Sequence, residues 1–95
     1  MAAYVIAEIE VKDAGAYEAY RRGVQATIDQ YGGRFLVRGG AVRLVEGSQQ
    51  PKRIVVIEFP DMSRANAWYD SPEYRPLLEL RKQASEGRLL MVEGV

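Results

Sequence analysis

The chain has 95 residues, 47% of them hydrophobic and 27% charged, and its 13 basic and 13 acidic residues cancel. This length and composition indicate one globular domain, residues 1–95. The balanced charge argues against a nucleic-acid-binding surface and against a strongly charged protein partner.

Cysteine and histidine are both absent from the chain. Disulfides, thiolate nucleophiles, a histidine base and histidine ligands for haem or zinc are therefore excluded, and we expect no cofactor and no metal site. The N-terminus lacks a basic region and meets a carboxylate at Glu8, so it does not resemble a signal peptide. No apolar run approaches the ~20 residues of a membrane span. We expect a cytoplasmic protein that binds neither nucleic acid nor membrane.

The first predicted strand covers residues 3–11, where an apolar face alternates with a mixed one. Asp13 then offers a carboxylate to cap a helix. Gly32 is placed to end that helix, and Gly23 in its middle indicates close packing against the sheet. Apolar and aromatic residues recur at spacings of three and four along the helix: Tyr17, Tyr20, Val24, Ile28 and Tyr31.

Two further strands are predicted in the middle of the chain. The second begins with Arg34–Arg38, is interrupted by Gly39-Gly40 and resumes over residues 41–46. After a turn at residues 47–51, residues 52–59 form the third strand. Arg34 and Arg38, four residues apart on one strand, are expected to point to the same face.

If the turn centres near Gln49, its position determines which residues of the two strands face each other. Residues 34–37 then overshoot the third strand, and the glycine pair is expected to form a bulge or bend. The predicted cross-strand pairs are Glu46 with Lys52, Leu44 with Ile54, and Val42 with Val56.

The C-terminal third contains a broken helix and a last strand. Asp61 or Ser63 caps a short helix that carries Trp68. The next helix either starts with Ser71 as its cap and Pro72 as its first residue, or begins near Pro76. Gly87 is expected to end it, and Arg88–Val92 is the last strand.

The predicted order is β-α-β-β-α-β, which is typical of the ferredoxin-like α+β fold: an antiparallel four-stranded sheet with helices on one face. The sheet face without helices is expected to carry mainly aliphatic residues: Tyr4, Ile6, Leu36, Ile54, Val56, Leu90 and Val92. A surface with so many aliphatic side chains rarely stays in water, so we predict a homodimer that packs sheet on sheet.

Four charged residues on that face form the first candidate site: Glu8, Glu58, Arg34 and Arg38. With the first and third strands as parallel neighbours, Glu8 and Glu58 would meet at their C-terminal ends, and an arginine could reach them. Two carboxylates and an arginine in a partly apolar cleft could bind a polar ligand or shift the pKa of a carboxylate. The alternative is an ion-pair network that fixes the dimer register, since charges at small interfaces are more often structural.

Aromatic residues are the other candidates. Tyr20 and its neighbours on the first helix, and Trp68 with Tyr69 and Tyr74, either pack in the core or line a ligand cleft between helices and sheet. Packing is the commoner role of such residues. Glu8 and Glu10 share a strand face, but with no third ligand they fit a solvated surface better than a Mg²⁺ site.

Several stretches together resemble one known family. They cover nearly the whole chain: residues 3–8, Tyr17-x-x-Tyr20, Tyr31–Gly40, Glu46-Gly47, Val56–Pro60, Ala67–Tyr74 and Leu80-Arg81. They look like the small bacterial proteins of domain of unknown function thirteen-thirty, although Pro76 stands where a helix former is usual. The resemblance implies the dimeric α/β-barrel superfamily, in which two ferredoxin-like sheets face each other. It implies no activity, because none is established for that family; relatives in the superfamily include cofactor-free oxygenases, haem enzymes and lactone isomerases.

Three hypotheses about function follow. The first is a homodimer that binds a small polar or anionic metabolite in a cleft between sheet and helices. Arg34 or Arg38 would pair the anion, and Tyr20 and Trp68 would form the walls. The second is a cofactor-free oxygenase- or isomerase-like enzyme with Glu8 or Glu58 as base and an arginine that stabilises an enolate. The third is a structural dimer without a ligand.

Overall fold

Four strands and three helices make up most of the chain, and the computed structural model describes all residues, Met1–Val95. The strand order in the sheet is β2-β3-β1-β4, with every neighbouring pair antiparallel. This confirms the predicted ferredoxin-like fold. None of the helices combines the length and the apolar composition that a membrane span needs. The elements are β1 (Ala3–Val11), α1 (Ala14–Gln30), β2 (Arg34–Arg38), β3 (Arg53–Phe59), α2 (Met62–Tyr69), α3 (Arg75–Ala84) and β4 (Ser85–Glu93).

The core lies between the helices and one face of the sheet. Alternate residues of β1 point into it, and so do alternate residues of β3 from Val55 to Phe59. The predicted period-two pattern of β1 is confirmed, because Val5, Ala7 and Ile9 are all buried. We call the other side of the sheet the open face. The residues it presents from β1, β3 and β4 are Tyr4, Ile6, Glu8, Ile54, Val56, Glu58, Arg88, Leu90 and Val92.

Helix α1 begins and ends where the sequence predicts. The Asp13 carboxylate accepts a hydrogen bond from the backbone N–H of Ala16 at 3.1 Å. After α1 the chain turns at Gly32, whose φ of 79° suits a glycine C-cap. The predicted partner of Gly23 was wrong, however. Gly23 packs against Leu77 of α3, with a hypothetical Cβ only 2.9 Å from Leu77 Cδ2, and not against the sheet.

Strand β2 is shorter than predicted and pairs differently. Residues 41–46 form no strand, and β2 itself pairs with β3, from Arg34 opposite Glu58 to Arg38 opposite Val55. The chain leaves the sheet at Gly39, where φ is 75°. The side chain of Gln50 then closes the loop by bonding the backbone N–H of Leu44 and the carbonyl of Val42. The expected hairpin register was wrong because a glutamine side chain supplies hydrogen bonds that a partner strand would have supplied.

A bulge in β2 decides where its two arginines point. The register shifts between Phe35 and Val37, ahead of the glycine pair where we expected it. The extra residue changes the alternation of side chains. Arg34, opposite Glu58, therefore lies on the open face, whereas Arg38, opposite Val55, lies on the helix side. The prediction that both arginines share a face was wrong.

In the C-terminal third, two predicted helix starts are confirmed and one predicted helix end is wrong. Asp61 caps α2, and α3 begins at Arg75 with Pro76 in its first turn, close to the second predicted start. The prediction that Gly87 ends the helix was wrong. Helix α3 ends at Ala84, whose carbonyl accepts the backbone N–H groups of Lys12 and Asp13. Strand β4 then starts at Ser85, and Gly87 pairs with Ile9 inside the sheet.

Candidate functional site

A small cavity of about 30 Å³ lies between the helices and the core face of the sheet. Its walls are mostly apolar, but four arginines line it: Arg21, Arg38, Arg53 and Arg81. No aspartate or glutamate is among the lining residues. Three larger grooves lie on the surface, and each mixes acidic with basic residues. The cavity is therefore the place where charge of one sign converges.

Most of the cavity arginines have no acidic partner. Arg21 pairs with Glu18 at 3.0 Å. No carboxylate lies within salt-bridge distance of Arg38, Arg53 or Arg81. Arg81 is buried and Arg38 and Arg53 are half-buried, so their charges add where electrostatic interactions are stronger than in bulk solvent. The cavity therefore favours an anion.

Arg38 and Arg53 are held by different kinds of contact. Arg38 donates to the backbone carbonyl of Arg21 at 3.1 Å and lies 4.2 Å from the centre of the Phe35 ring. Arg53 lies 5.5 Å from the centre of the Tyr17 ring, and its buried Nε–H has no hydrogen-bond partner. Gly39 leaves room for this guanidinium, which a Cβ at that position would overlap. Arg53 thus carries a buried donor without an acceptor.

The fourth cavity arginine, Arg81, is hydrogen-bonded to a pair of buried tyrosines. Arg81 Nε donates to the hydroxyl of Tyr74 at 3.3 Å, and the hydroxyls of Tyr74 and Tyr20 are 2.9 Å apart. Burial raises the pKa of Tyr20 far above its usual range, and the neighbouring Tyr74 adds to the shift. Burial also raises the pKa of Tyr74, although Arg81 opposes that change. Both phenols therefore keep their protons at neutral pH.

The cavity brings three of the predicted ligand-binding residues together. Tyr20, Arg38 and Trp68 all line it. Trp68 is only 1% exposed, and its indole N–H donates to the hydroxyl of Thr27 at 3.0 Å. Arg34 is not part of the cavity: its side chain bonds Glu58 at 2.7 Å on the open face.

The expected meeting of Glu8 and Glu58 was wrong, because β1 and β3 run antiparallel. Residue Tyr4, and not Glu8, stands opposite Glu58. Glu58 bonds Arg34 and Tyr4, whereas Glu8 bonds Arg88 at 2.8 Å. The two carboxylates therefore lie in two separate ion pairs on the open face. No group of three acidic side chains is placed to hold a metal ion.

Sequence reasoning missed three of the four cavity arginines, although the pattern contains a signal for two of them. Arg53 alternates with Val55 and Ile57 on the core face of β3. Arg81 falls on the buried face of α3, three residues after Leu78 and three before Ala84. An arginine on an otherwise apolar face is rare unless it is paired, so these positions could have been identified as candidate sites. Arg21, four residues after Tyr17, has a weaker signal.

Comparison with solved structures shows the same fold in other proteins. The chain is similar to a protein of unknown function from Rhodopseudomonas palustris, with 18% identity, a TM-score of 0.80, and 99% of this chain and 82% of that chain covered. It is also similar to a dimeric ferredoxin-like protein of unknown function from Jannaschia sp. CCS1, with 16% identity, a TM-score of 0.66 and full coverage of both chains. SnoaB, a cofactor-independent oxygenase from Streptomyces nogalater, has 13% identity and a TM-score of 0.66, with 99% of this chain and 93% of that chain covered.

Comparison at the level of families is more specific. No curated protein matches the chain. One family model matches residues 2–95, and it describes a domain of unknown function (DUF1330). This match takes in almost the whole chain and agrees with the resemblance seen in its sequence stretches. The chain therefore belongs to the family described as domain of unknown function (DUF1330).

Proposed function

We propose that this protein is a cytoplasmic homodimer that binds a small anionic metabolite in the cavity between sheet and helices. The observation that carries the proposal is the convergence of Arg38, Arg53 and Arg81 on a cavity without a carboxylate. A charge that is removed from water without a partner is costly. An anion in the cavity would supply the missing counter-charge and an acceptor for the Nε–H of Arg53.

Removal of one cavity arginine tests this proposal. We expect Arg53→Gln and Arg38→Gln each to weaken binding of a small carboxylate or phenolate by about 10- to 100-fold, since a hydrogen bond to a charged group contributes about 1.5–3 kcal/mol. A thermal-shift screen of small acids and phenols identifies the ligand, and isothermal titration calorimetry gives the affinities.

The matched control is Arg22→Gln. Arg22 follows the cavity residue Arg21 in α1, but its side chain is 80% exposed and does not line the cavity. Its loss should leave the affinity unchanged. If no compound in a broad panel shifts the melting temperature, or if Arg53→Gln binds as tightly as the wild type, the binding proposal is wrong.

The dimer proposal is supported by the open face. Leu90 is 46% and Val92 47% exposed there, beside Ile6 and Val56. The face also carries charges, but Arg34 is paired with Glu58 and Arg88 with Glu8. Paired charges cost less to bury than single ones. A second copy of the same sheet would cover the aliphatic residues, and the Jannaschia protein of similar fold is described as dimeric.

A charge on the open face should break the dimer. We expect Leu90→Asp to convert a wild-type dimer into a monomer at micromolar concentration, because two unpaired carboxylates would be buried at the interface. Size-exclusion chromatography with light scattering measures the mass, and circular dichroism checks the fold. Val45→Asp, at a loop position that is 72% exposed, serves as the control. A monomeric wild type, or a Leu90→Asp variant that stays dimeric, contradicts the proposed interface.

The two other hypotheses receive less support. An enzyme with Glu8 or Glu58 as base would need a carboxylate in the cavity, and both carboxylates are paired with arginines on the open face. The structural similarity to a cofactor-independent oxygenase at 13% identity concerns the fold and supplies no base. A structural dimer without a ligand would leave three arginines converging on the cavity without any acidic partner.

A further inference from the structure

The chain of hydrogen bonds from Arg81 to Tyr20 has a direction. Arg81 Nε–H must donate, so the Tyr74 hydroxyl oxygen accepts from it. The Tyr74 proton can then go only to the Tyr20 hydroxyl oxygen, since no other acceptor lies within hydrogen-bond distance of it. Either hydroxyl could be the donor between the two tyrosines, and each choice leaves one phenolic proton without a protein acceptor. Tyr20 lines the cavity and Tyr74 does not, so only a free proton on Tyr20 can be bonded by a molecule in the cavity. With an acceptor in the cavity, the order of donation is therefore Arg81 to Tyr74 to Tyr20.

The hydroxyl proton of Tyr20, at the end of this series of hydrogen bonds, has no protein acceptor. Tyr20 accepts from Tyr74, so its own hydroxyl proton is free to donate elsewhere, and Tyr20 lines the cavity. The Nε–H of Arg53, which also lines the cavity, lacks an acceptor too. Hydrogen bonds in a chain polarise one another, so the charge of Arg81 strengthens Tyr20 as a donor. The cavity offers donors and positive charge, and no carboxylate oxygen.

We propose that Tyr20 and Arg53 together recognise the carboxylate head of the ligand, with Tyr20 as a specificity-determining donor. This inference rests on the proposed function and assigns its ligand class. The volume of about 30 Å³ corresponds to one or two water molecules, so the cavity can take the head of a ligand and is far too small for a whole aromatic ring. A larger ligand would keep its body on the side of the half-buried arginines Arg38 and Arg53.

Titrations followed by two-dimensional NMR test the assignment with three probes: acetate, acetamide and inorganic phosphate. Acetate and acetamide have nearly the same shape, but the amide is neutral and carries donors that would face the donors of the cavity. We expect acetate to shift the signals of cavity residues and acetamide to bind at least about tenfold more weakly. This comparison uses the wild-type protein alone and does not depend on the folding of any variant.

Two tyrosine variants complete the test. Tyr20→Phe removes only the hydroxyl and should weaken acetate about tenfold. Tyr69→Phe is the control, because Tyr69 lies beside Tyr74 but does not line the cavity, and it should change the affinity less than twofold. The spectra themselves show whether each variant is folded.

Each outcome separates this inference from the proposed function. If Arg53→Gln loses acetate while Tyr20→Phe keeps it, the cavity binds anions but the role of Tyr20 is wrong. If acetamide binds as well as acetate, or phosphate binds more tightly, the carboxylate assignment is overturned. If acetate does not bind the wild type, the inference fails; failure of the proposed function also requires that no acid or phenol of the wider panel binds.

Discussion

Replacement of Gly87 by alanine should lower the free energy of unfolding by more than about 3 kcal/mol. Gly87 lies in β4 opposite Ile9 and has a φ of 153°, which side-chain-bearing residues rarely adopt. A Cβ there would overlap the backbone carbonyl oxygen of Glu8 and lie 3.0 Å from the Cα of Ile9. These are backbone atoms of the neighbouring strand, so no rotation of a side chain can make room.

Urea denaturation followed by circular dichroism measures this effect. A domain of this size has only about 5–15 kcal/mol of stability, so much of the Gly87→Ala protein should already be unfolded in mild denaturant. Gly40→Ala is the matched control, since no heavy atom lies within 4 Å of a Cβ at Gly40, and its midpoint should move little. An unchanged midpoint for Gly87→Ala would mean that β4 does not approach β1 as described.

The second large effect is expected at Trp68. Trp68→Ala should cost about 3–5 kcal/mol, because it removes a large buried side chain and leaves a void. The ring of Trp68 lies 4.2 Å from that of Tyr74 and 5.5 Å from that of Phe59, measured between centroids. Its loss also leaves the buried hydroxyl of Thr27 without the indole donor. Thermal and urea unfolding of the variant give the free energy directly.

The hydrogen bond and the packing of Trp68 can be separated. Thr27→Val keeps the volume of residue 27 and removes its hydroxyl, while Trp68→Phe keeps an aromatic ring and removes the indole N–H. A double-mutant cycle of the two should give a coupling energy of about 1 kcal/mol for the hydrogen bond. A cost below about 1 kcal/mol for Trp68→Ala would contradict the central position of the indole in the core.

The sequence predicted those elements whose signals are local. The alternation in residues 3–11, the aspartates before α1 and α2, and Gly32 after α1 each act within one or two turns of the chain. Such signals are independent of the rest of the fold, which explains why the predicted order of elements was confirmed. The start of α3 near Pro76 belongs to the same class, since proline is tolerated only in the first turn of a helix.

One error arose where a side chain replaces a backbone interaction. Residues 41–46 alternate like a strand, yet Gln50 bonds the backbone of Val42 and Leu44 and closes a loop there. Alternation of side chains cannot reveal which group accepts a backbone N–H. The position of the bulge after Phe35 could not be predicted either, because it depends on how β2 pairs with β3 and not on a residue type.

The site was predicted only in part, for a related reason. Tyr20, Arg38 and Trp68 were selected as ligand residues, and the structure places them on one cavity. The other charged candidates lie on the open face, whereas Arg53 and Arg81 occupy apolar faces, where the sequence pattern predicts core residues. Whether a strand arginine enters the core depends on space left by other elements, here by Gly39, and only the folded chain shows that space.

The bulge in β2 joins two surfaces of the molecule mechanically. The strand has five residues; its first arginine reaches the outer side of the sheet and its last reaches the interior. A sliding of the whole of β2 along β3 would displace Arg34 and Arg38 together, so that a change at the proposed subunit contact and a change in the cavity would be the same motion.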